Sequence, residues 1–313
     1  MIALALLLAA AMPVTPADRA EVIANSASIL EERYVDAQEG ARLAAALRAG
    51  PADLAAHDDA EAFAAAMTAW LRAASGDGHL GLSFSQTPIP ETPADDTFAG
   101  EMEQWYGPQI NHGFERIVRH EGNIIELRLD TFAPPDMAAD MFIAAATLTA
   151  EASALILDLR RNGGGSSEAA EMLLYYLTEP GSPLSGTYHR PTDSRRHAQT
   201  ASYLPGRRFG SDKPLYVLIS KRTFSAAEQV AYDLQALGRA TIIGEVSGGG
   251  AHPFEFRRVH PHFALDLPEG KSINPITGGN WQGVGVTPDV AVPASEALDT
   301  ALGLAREATG AAD

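Results

Sequence analysis

Three short apolar runs, Leu155–Leu157, Leu215–Ile219 and Ala240–Ile243, constrain this chain more than any other feature. Runs this short and this continuous read as strands buried on both faces. The first leads through Asn162-Gly163-Gly164-Gly165 into a helical pattern, Glu168 to Leu177; the second leads through a turn at Ser225 into another, Ala226 to Leu237, closed by Gly238. Strands that alternate with helices pair in parallel through crossovers, so the expected core is α/β. In such sheets ligands bind outside the carboxyl ends of the strands, where both turns and a second triplet, Gly248-Gly249-Gly250, are expected to lie.

Upstream, apolar residues recur at helical spacing from Asp18 to Ala74, among them Val22, Leu30, Leu43, Phe63 and Met67, and predict a small helical unit of three segments. Gly50-Pro51 separates the last two, and Gly76-Asp77-Gly78 ends the third. Phe114–Arg119 with Ile124–Asp130, and Phe254–Val259 with Phe263–Leu267, alternate as hairpins, and a last helix starts near Ser295. The expected domains are therefore a helical unit over 18–78 and an α/β core over 79–313. The unbroken run Ile2–Met12 is too short for a membrane span but matches a secretory leader over 1–17, which implies export to a periplasmic or extracellular space.

A net charge of −17 argues against nucleic acid as a partner, and the absence of cysteine excludes thiolate nucleophiles and disulfides. No metal-ligand spacing or dinucleotide fingerprint occurs, so no cofactor and no metal are expected. Ser225 admits two readings. It can be a nucleophile, its hydroxyl at a helix N-terminus that favours developing negative charge. It can equally be the N-cap of a capping box whose N3 partner is Glu228. The glycines after Asn162 let backbone N–H groups face an anion, as an oxyanion hole requires, or simply form a flexible loop. A base for the serine could be His79, on a glycine-flexed turn, or His252, after the second triplet. The basic stretch Arg190–Arg208 reads either as a solvated loop or as a lid that meets a peptide carboxylate.

LILDLRRNGGG (155–165), TFSAAE (223–228), GRATIIGEVSGGGAHP (238–253), INPITGG (273–279) and NWQGVGVTPD (280–289) together resemble the tail-specific, or C-terminal-processing, serine peptidases. The likeness is strongest to the branch of the interphotoreceptor retinoid-binding protein repeats and the tricorn catalytic core. It implies a crotonase-like α/β core, Ser225 as nucleophile, the backbone N–H groups of Ala226, Gly163 and Gly164 as oxyanion hole, and a peptide or protein substrate. The lysine of the family's Ser–Lys dyad falls at Gly250, so a histidine base is implied instead, at His79. The branch's orienting glutamate falls at Gln282, a neutral amide that can orient a ring but cannot stabilise an imidazolium as a carboxylate does. The alternative implied is a weak or inactive member binding an apolar or lipid-like ligand. The stretch Gln86–Arg116 is too short to hold the PDZ module that such peptidases often carry.

Overall fold

The computed structural model describes residues 12–51, 54, 56–91 and 99–310. The chain divides into two compact units, one made of Met1–Thr97, His189–Thr192 and Pro253–Gly270, the other of Phe98–Tyr188, Asp193–His252 and Lys271–Asp313. Among the described residues no helix is long and apolar enough to cross a membrane.

The first unit holds α1 (Pro16–Arg33), α2 (Ala37–Arg48) and α3 (Ala60–Ser75), the three helices the spacing predicts. Their apolar stripes, Leu30, Leu43, Phe63 and Met67 among them, are fully buried in one cluster. The unit extends beyond the boundary at 78/79 expected from the sequence, because β1 (Gly81–Phe84) pairs with β10 (Phe263–Pro268), which pairs in turn with β9 (Phe254–His260). Phe263, Leu265 and Leu267 then bury their side chains in the helical core. Local periodicity sees each hairpin but not a partner strand some 180 positions away, so the hairpin assigned to the α/β core belongs to the helical unit. The end of the predicted leader is also built in: Val14 is buried and donates its N–H to Asp58 O, and Thr15 caps α1. Residues 1–11 lie outside the described residues.

The second unit is built on a six-stranded sheet of order β12-β8-β7-β4-β3-β2. Its strands are β2 (Phe114–His120), β3 (Ile124–Leu129), β4 (Ala154–Asp158), β7 (Leu215–Ile219), β8 (Thr241–Gly244) and β12 (Val290–Ala291). Only the β2–β3 hairpin is antiparallel; β3, β4, β7, β8 and β12 run parallel. Alternate residues serve opposite faces, as the strand period dictates. Leu155 and Leu157 pack with residues of α5 (Pro135–Thr149), α6 (Ser167–Leu177) and α7 (Ala226–Ala236), whereas Ala154 and Ile156 meet α8 (Ala297–Thr309). α4 (Ala99–Tyr106) precedes β2. A smaller sheet of order β11-β5-β6 joins β5 (Pro183–His189), β6 (Ser194–Gln199) and β11 (Gly270–Ile273), so the Arg190–Arg208 stretch supplies a strand where the sequence suggested a loop or lid.

Candidate active site

The carboxyl ends of the neighbouring strands β4, β7 and β8 bring together the three turns singled out in the sequence. Main-chain and buried side-chain bonds knit them. Phe224 donates its N–H to Asn162 O at 3.1 Å, Gly248 donates to Thr223 O at 2.9 Å, and the buried Thr223 hydroxyl donates to Leu159 O at 2.9 Å.

Ser225 sits at the N-cap of α7 with φ 55° and ψ −122°, a conformation that glycine tolerates and a serine holds only under strain. Its N–H donates to Glu228 Oε2 at 2.8 Å, so the carboxylate half of the predicted capping box is present. Ser225 stands at a sharp strand-to-helix turn and is half-buried. Ala226 follows at the first helical position, where the N–H has no carbonyl one turn back to bond.

Glu228 does more than cap. It is fully buried, and its carboxylate also accepts from Ser247 Oγ at 2.6 Å and from the N–H groups of Gly249 at 2.6 Å and Gly250 at 2.8 Å. Burial pushes its carboxyl above the ordinary range, while these hydrogen bonds pull the other way by favouring the charged form. One carboxylate therefore fixes the Ser225 turn and the second glycine triplet relative to each other. The sequence shows Glu228 only as a cap, because its other donors lie 19 to 22 residues away on a loop whose path no local pattern reveals.

The first glycine turn is pressed against the serine. A Cβ on Gly164 would come within 2.7 Å of Ser225 Cβ, and the residue's φ of +105° also demands glycine. Gly164 N–H donates to Asn162 Oδ1 at 2.8 Å, and the buried Asn162 in turn donates from Nδ2 to Leu129 O at 2.9 Å. Of the two glycines expected to offer N–H groups, Gly164 thus has its own engaged by the side chain that shapes the turn.

Gln282 Oε1 accepts the N–H of Ala251 at 2.7 Å, and the neighbouring Trp281, buried, donates from Nε1 to Gly250 O at 2.7 Å. Gln282 therefore holds the second glycine turn. His252, the rival base, follows Ala251 in the same unit.

His79 belongs to the other unit. It is buried, its ring centroid lies 5.6 Å from that of Phe254, and its backbone N–H donates to Asp77 Oδ1 at 3.0 Å. Asp77, also buried, accepts from the Tyr34 hydroxyl at 3.0 Å, and burial together with this carboxylate pushes the Tyr34 phenol upward. The Asp77 carboxylate thus braces the His79 turn from within.

The sequence model of peptidase family S41 matches residues 123–292, more than half of the chain. The chain belongs to peptidase family S41. A carboxy-terminal-processing protease of Bartonella bacilliformis is 32% identical over 178 residues, 56% of this chain and 40% of that protein, so the match spans well under half of that relative's length. A lipoprotein from Streptococcus agalactiae shares the fold at a TM-score of 0.61 and 13% identity, with 95% of this chain and 99% of that one covered. The photosystem II D1 C-terminal processing protease does so at 0.55 and 16%, with 90% and 94% covered. The serine-peptidase resemblance and the α/β core with parallel strands expected from the sequence are thereby confirmed.

Proposed function

We propose that this S41 member hydrolyses peptide bonds of a peptide or protein substrate through an acyl-enzyme on Ser225. In this reading Ser225 Oγ attacks the scissile carbonyl while the imidazole of His79 takes its proton, and the imidazolium then protonates the departing amine. The N–H groups of Gly163 and Ala226 receive the negative charge on the carbonyl oxygen, each worth about 3 to 4 kcal/mol in such sites. Gly164 contributes room, and Asn162 shapes the turn. Water then attacks the acyl-enzyme, with His79 acting as base a second time. Gln282 is assigned as a positioning residue for the turn Gly248–Ala251. We further propose export to a periplasmic or extracellular space, a reading supported by the leader-like run Ile2–Met12.

The observation that carries the reading is the strained Ser225 at the start of α7, its N–H fixed by a buried carboxylate. A fluorophosphonate probe tests it. Labelling of the native protein is expected, with loss in Ser225→Ala and at least about a hundredfold slowing in His79→Ala, while His252→Ala retains labelling. A folded protein that stays unlabelled returns the chain to the alternative of an inactive member that binds an apolar ligand.

A further inference from the structure

The carboxyl edge of the six-stranded sheet holds a recess of about 520 Å³ beside the candidate nucleophile. Trp105, Ile110 and Phe114 give it apolar walls, and Glu115 and Asp130 add carboxylates. A run of close contacts links it to the serine. A Cβ on Gly113, in the lining, would meet Thr131 O at 2.4 Å; Thr131 Oγ1 donates to Gly164 O at 3.1 Å; and Gly164 is the residue pressed against Ser225. β2 starts where β3 ends, with Phe114 opposite Leu129, so the recess shares the sheet edge on which Ser225 stands. Three strand spacings of about 4.8 Å lie between β7 and β2, roughly 14 Å, which an extended peptide crosses in about four residues.

Local chemistry fixes the walls. Asn111 and His112 adopt positive φ, 49° and 54°; Asn111 Nδ2 donates to Phe114 O at 2.8 Å, and His112 Nδ1 donates to Tyr106 O at 2.7 Å. The register of β2 on β3 shifts between Phe114 and Arg116, which makes Glu115 the extra residue of a bulge. A bulge at a sheet edge re-aims the side chain it frees, and Glu115 lines the recess.

The two carboxylates differ in what they have left to offer. Asp130 is bound by Arg128 at 2.8 and 2.7 Å, with Arg161 3.9 Å away. Glu115 is exposed and forms no ion pair among the described residues, and no Lys or Arg is among the described residues lining the recess. Trp105 beside it is 48% exposed. A carboxylate without a partner next to an open indole suits a cation carried on an apolar stem, because the ring face attracts the cation and the walls cover the methylenes. Given hydrolysis at Ser225, on which this rests, we propose that the recess receives an Arg or Lys side chain of the peptide substrate about four residues from the scissile bond, its cation on Glu115 and its stem against Trp105.

A series of quenched-fluorescent decapeptides tests the subsite. One Arg is moved position by position through an otherwise fixed neutral sequence, and each member is matched by a peptide with citrulline, the neutral isostere, in its place. Cleavage mapped by mass spectrometry is expected about four residues from Arg, with kcat/KM at least about tenfold above the citrulline partner and most of the gain in KM. Glu115→Gln should bring the partners within about threefold of each other, and Glu115→Lys should reverse the preference. If the protein takes up the fluorophosphonate but turns none of the series over, the same pairs are read as competitors of labelling, where Arg is expected to act at a concentration at least about tenfold lower. Equal cleavage or equal competition by Arg and citrulline peptides in a protein that labels overturns the subsite and leaves the nucleophile standing. So does a preference that survives Glu115→Lys in a protein of unchanged circular dichroism. A folded protein that neither labels nor cleaves overturns the hydrolytic reading, and the subsite with it.

Discussion

The two units each begin a helix with the same pattern, Thr15-Pro16-Ala17-Asp18 at α1 and Ser225-Ala226-Ala227-Glu228 at α7. At α1 the box is relaxed: Thr15 is extended, at φ −75° and ψ 161°, its hydroxyl accepts the N–H of Asp18, and Asp18 accepts from Thr15 in return. Hydrogen bonds from Thr15 hold the Asp18 carboxyl below its ordinary value. At α7 the cap residue is strained, the acid is fully buried, and its carboxyl is pushed up instead. A capping box as such therefore says nothing about function. What separates a helix end from a candidate nucleophile is backbone strain together with a buried carboxylate that serves more turns than its own.

The sharpest break in that comparison is Glu228→Gln. Gln has one acceptor oxygen where Glu228 offers two, and Glu228 Oε1 and Oε2 each accept from two donors. The least costly orientation turns the NH2 group to Ser247, whose hydroxyl can accept from it, and to Gly249, whose N–H is left unsatisfied at roughly 1 to 3 kcal/mol. We expect denaturant unfolding to show a loss of about 2 kcal/mol and fluorophosphonate labelling to fall at least about tenfold. Asp18→Asn, by contrast, touches exposed bonds to Thr15 and one long contact with His260 at 3.7 Å, and should change stability by less than about 0.5 kcal/mol. Equal effects at the two positions would show that burial and shared donors do not distinguish the boxes.

Acidification probes the same contrast on a second set of carboxylates. Burial raises Asp233 and Asp266 to about 6, and it raises Glu228 as well. A raised folded pKa means that the native state binds more protons than the unfolded chain between roughly pH 4 and 6, so stability falls as pH rises through that window. Glu269 goes the other way, held at about 2 by Arg257 and Arg33 despite its burial, and Asp18 is lowered too. Their contribution is present above the ordinary carboxylate pKa and is lost as pH falls from about 4.5 towards 2. Chemical denaturation is thus expected to place maximum stability near pH 4, with decline on both sides. Asp266→Asn, whose partner Ser83 donates by a hydroxyl that can turn to the amide oxygen, should flatten the limb between pH 4 and 6. Stability that climbs steadily from pH 4 to 6 would contradict these assignments.

How much of this was legible in sequence follows from the range of the interactions. Strands β4, β7 and β8 and helices α6 and α7 announce themselves by local apolar period, and the topology rule places their turns on one edge. α5 has no such signature: its run Met137–Thr149 is apolar or small on nearly every side, and the sequence reading passes over it. The β5–β6 hairpin is written in Ser, Arg, His and Gln on an exposed strand, a composition that reads as loop. The Ser225 turn was nameable but its strain was not, because a φ of 55° comes from bonds to Asn162 and Glu228 and from the press of Gly164, none of them visible in TFSAAE. The assignment of the β9–β10 hairpin failed for the same reason, since its partner β1 is remote in the chain.

The smallest effect gives the cleanest discrimination, because one substitution is expected to act with opposite signs at the two caps. Ser225→Gly places a residue without Cβ at φ 55° and ψ −122°, where the steric penalty on serine is roughly 1 kcal/mol or more. The N–H that Glu228 binds is retained, so Ser225→Gly is expected to gain about 1 kcal/mol over wild type while losing all labelling. Thr15→Gly removes a relaxed cap whose hydroxyl already satisfies the N–H of Asp18, and Gly replaces such caps at a cost of a few tenths of a kcal/mol. Thermal or urea unfolding of the two variants checks the signs. If Ser225→Gly destabilises the protein as Thr15→Gly does, the strain at the candidate nucleophile is not stored in its backbone, and the distinction between the two boxes rests on Glu228 alone.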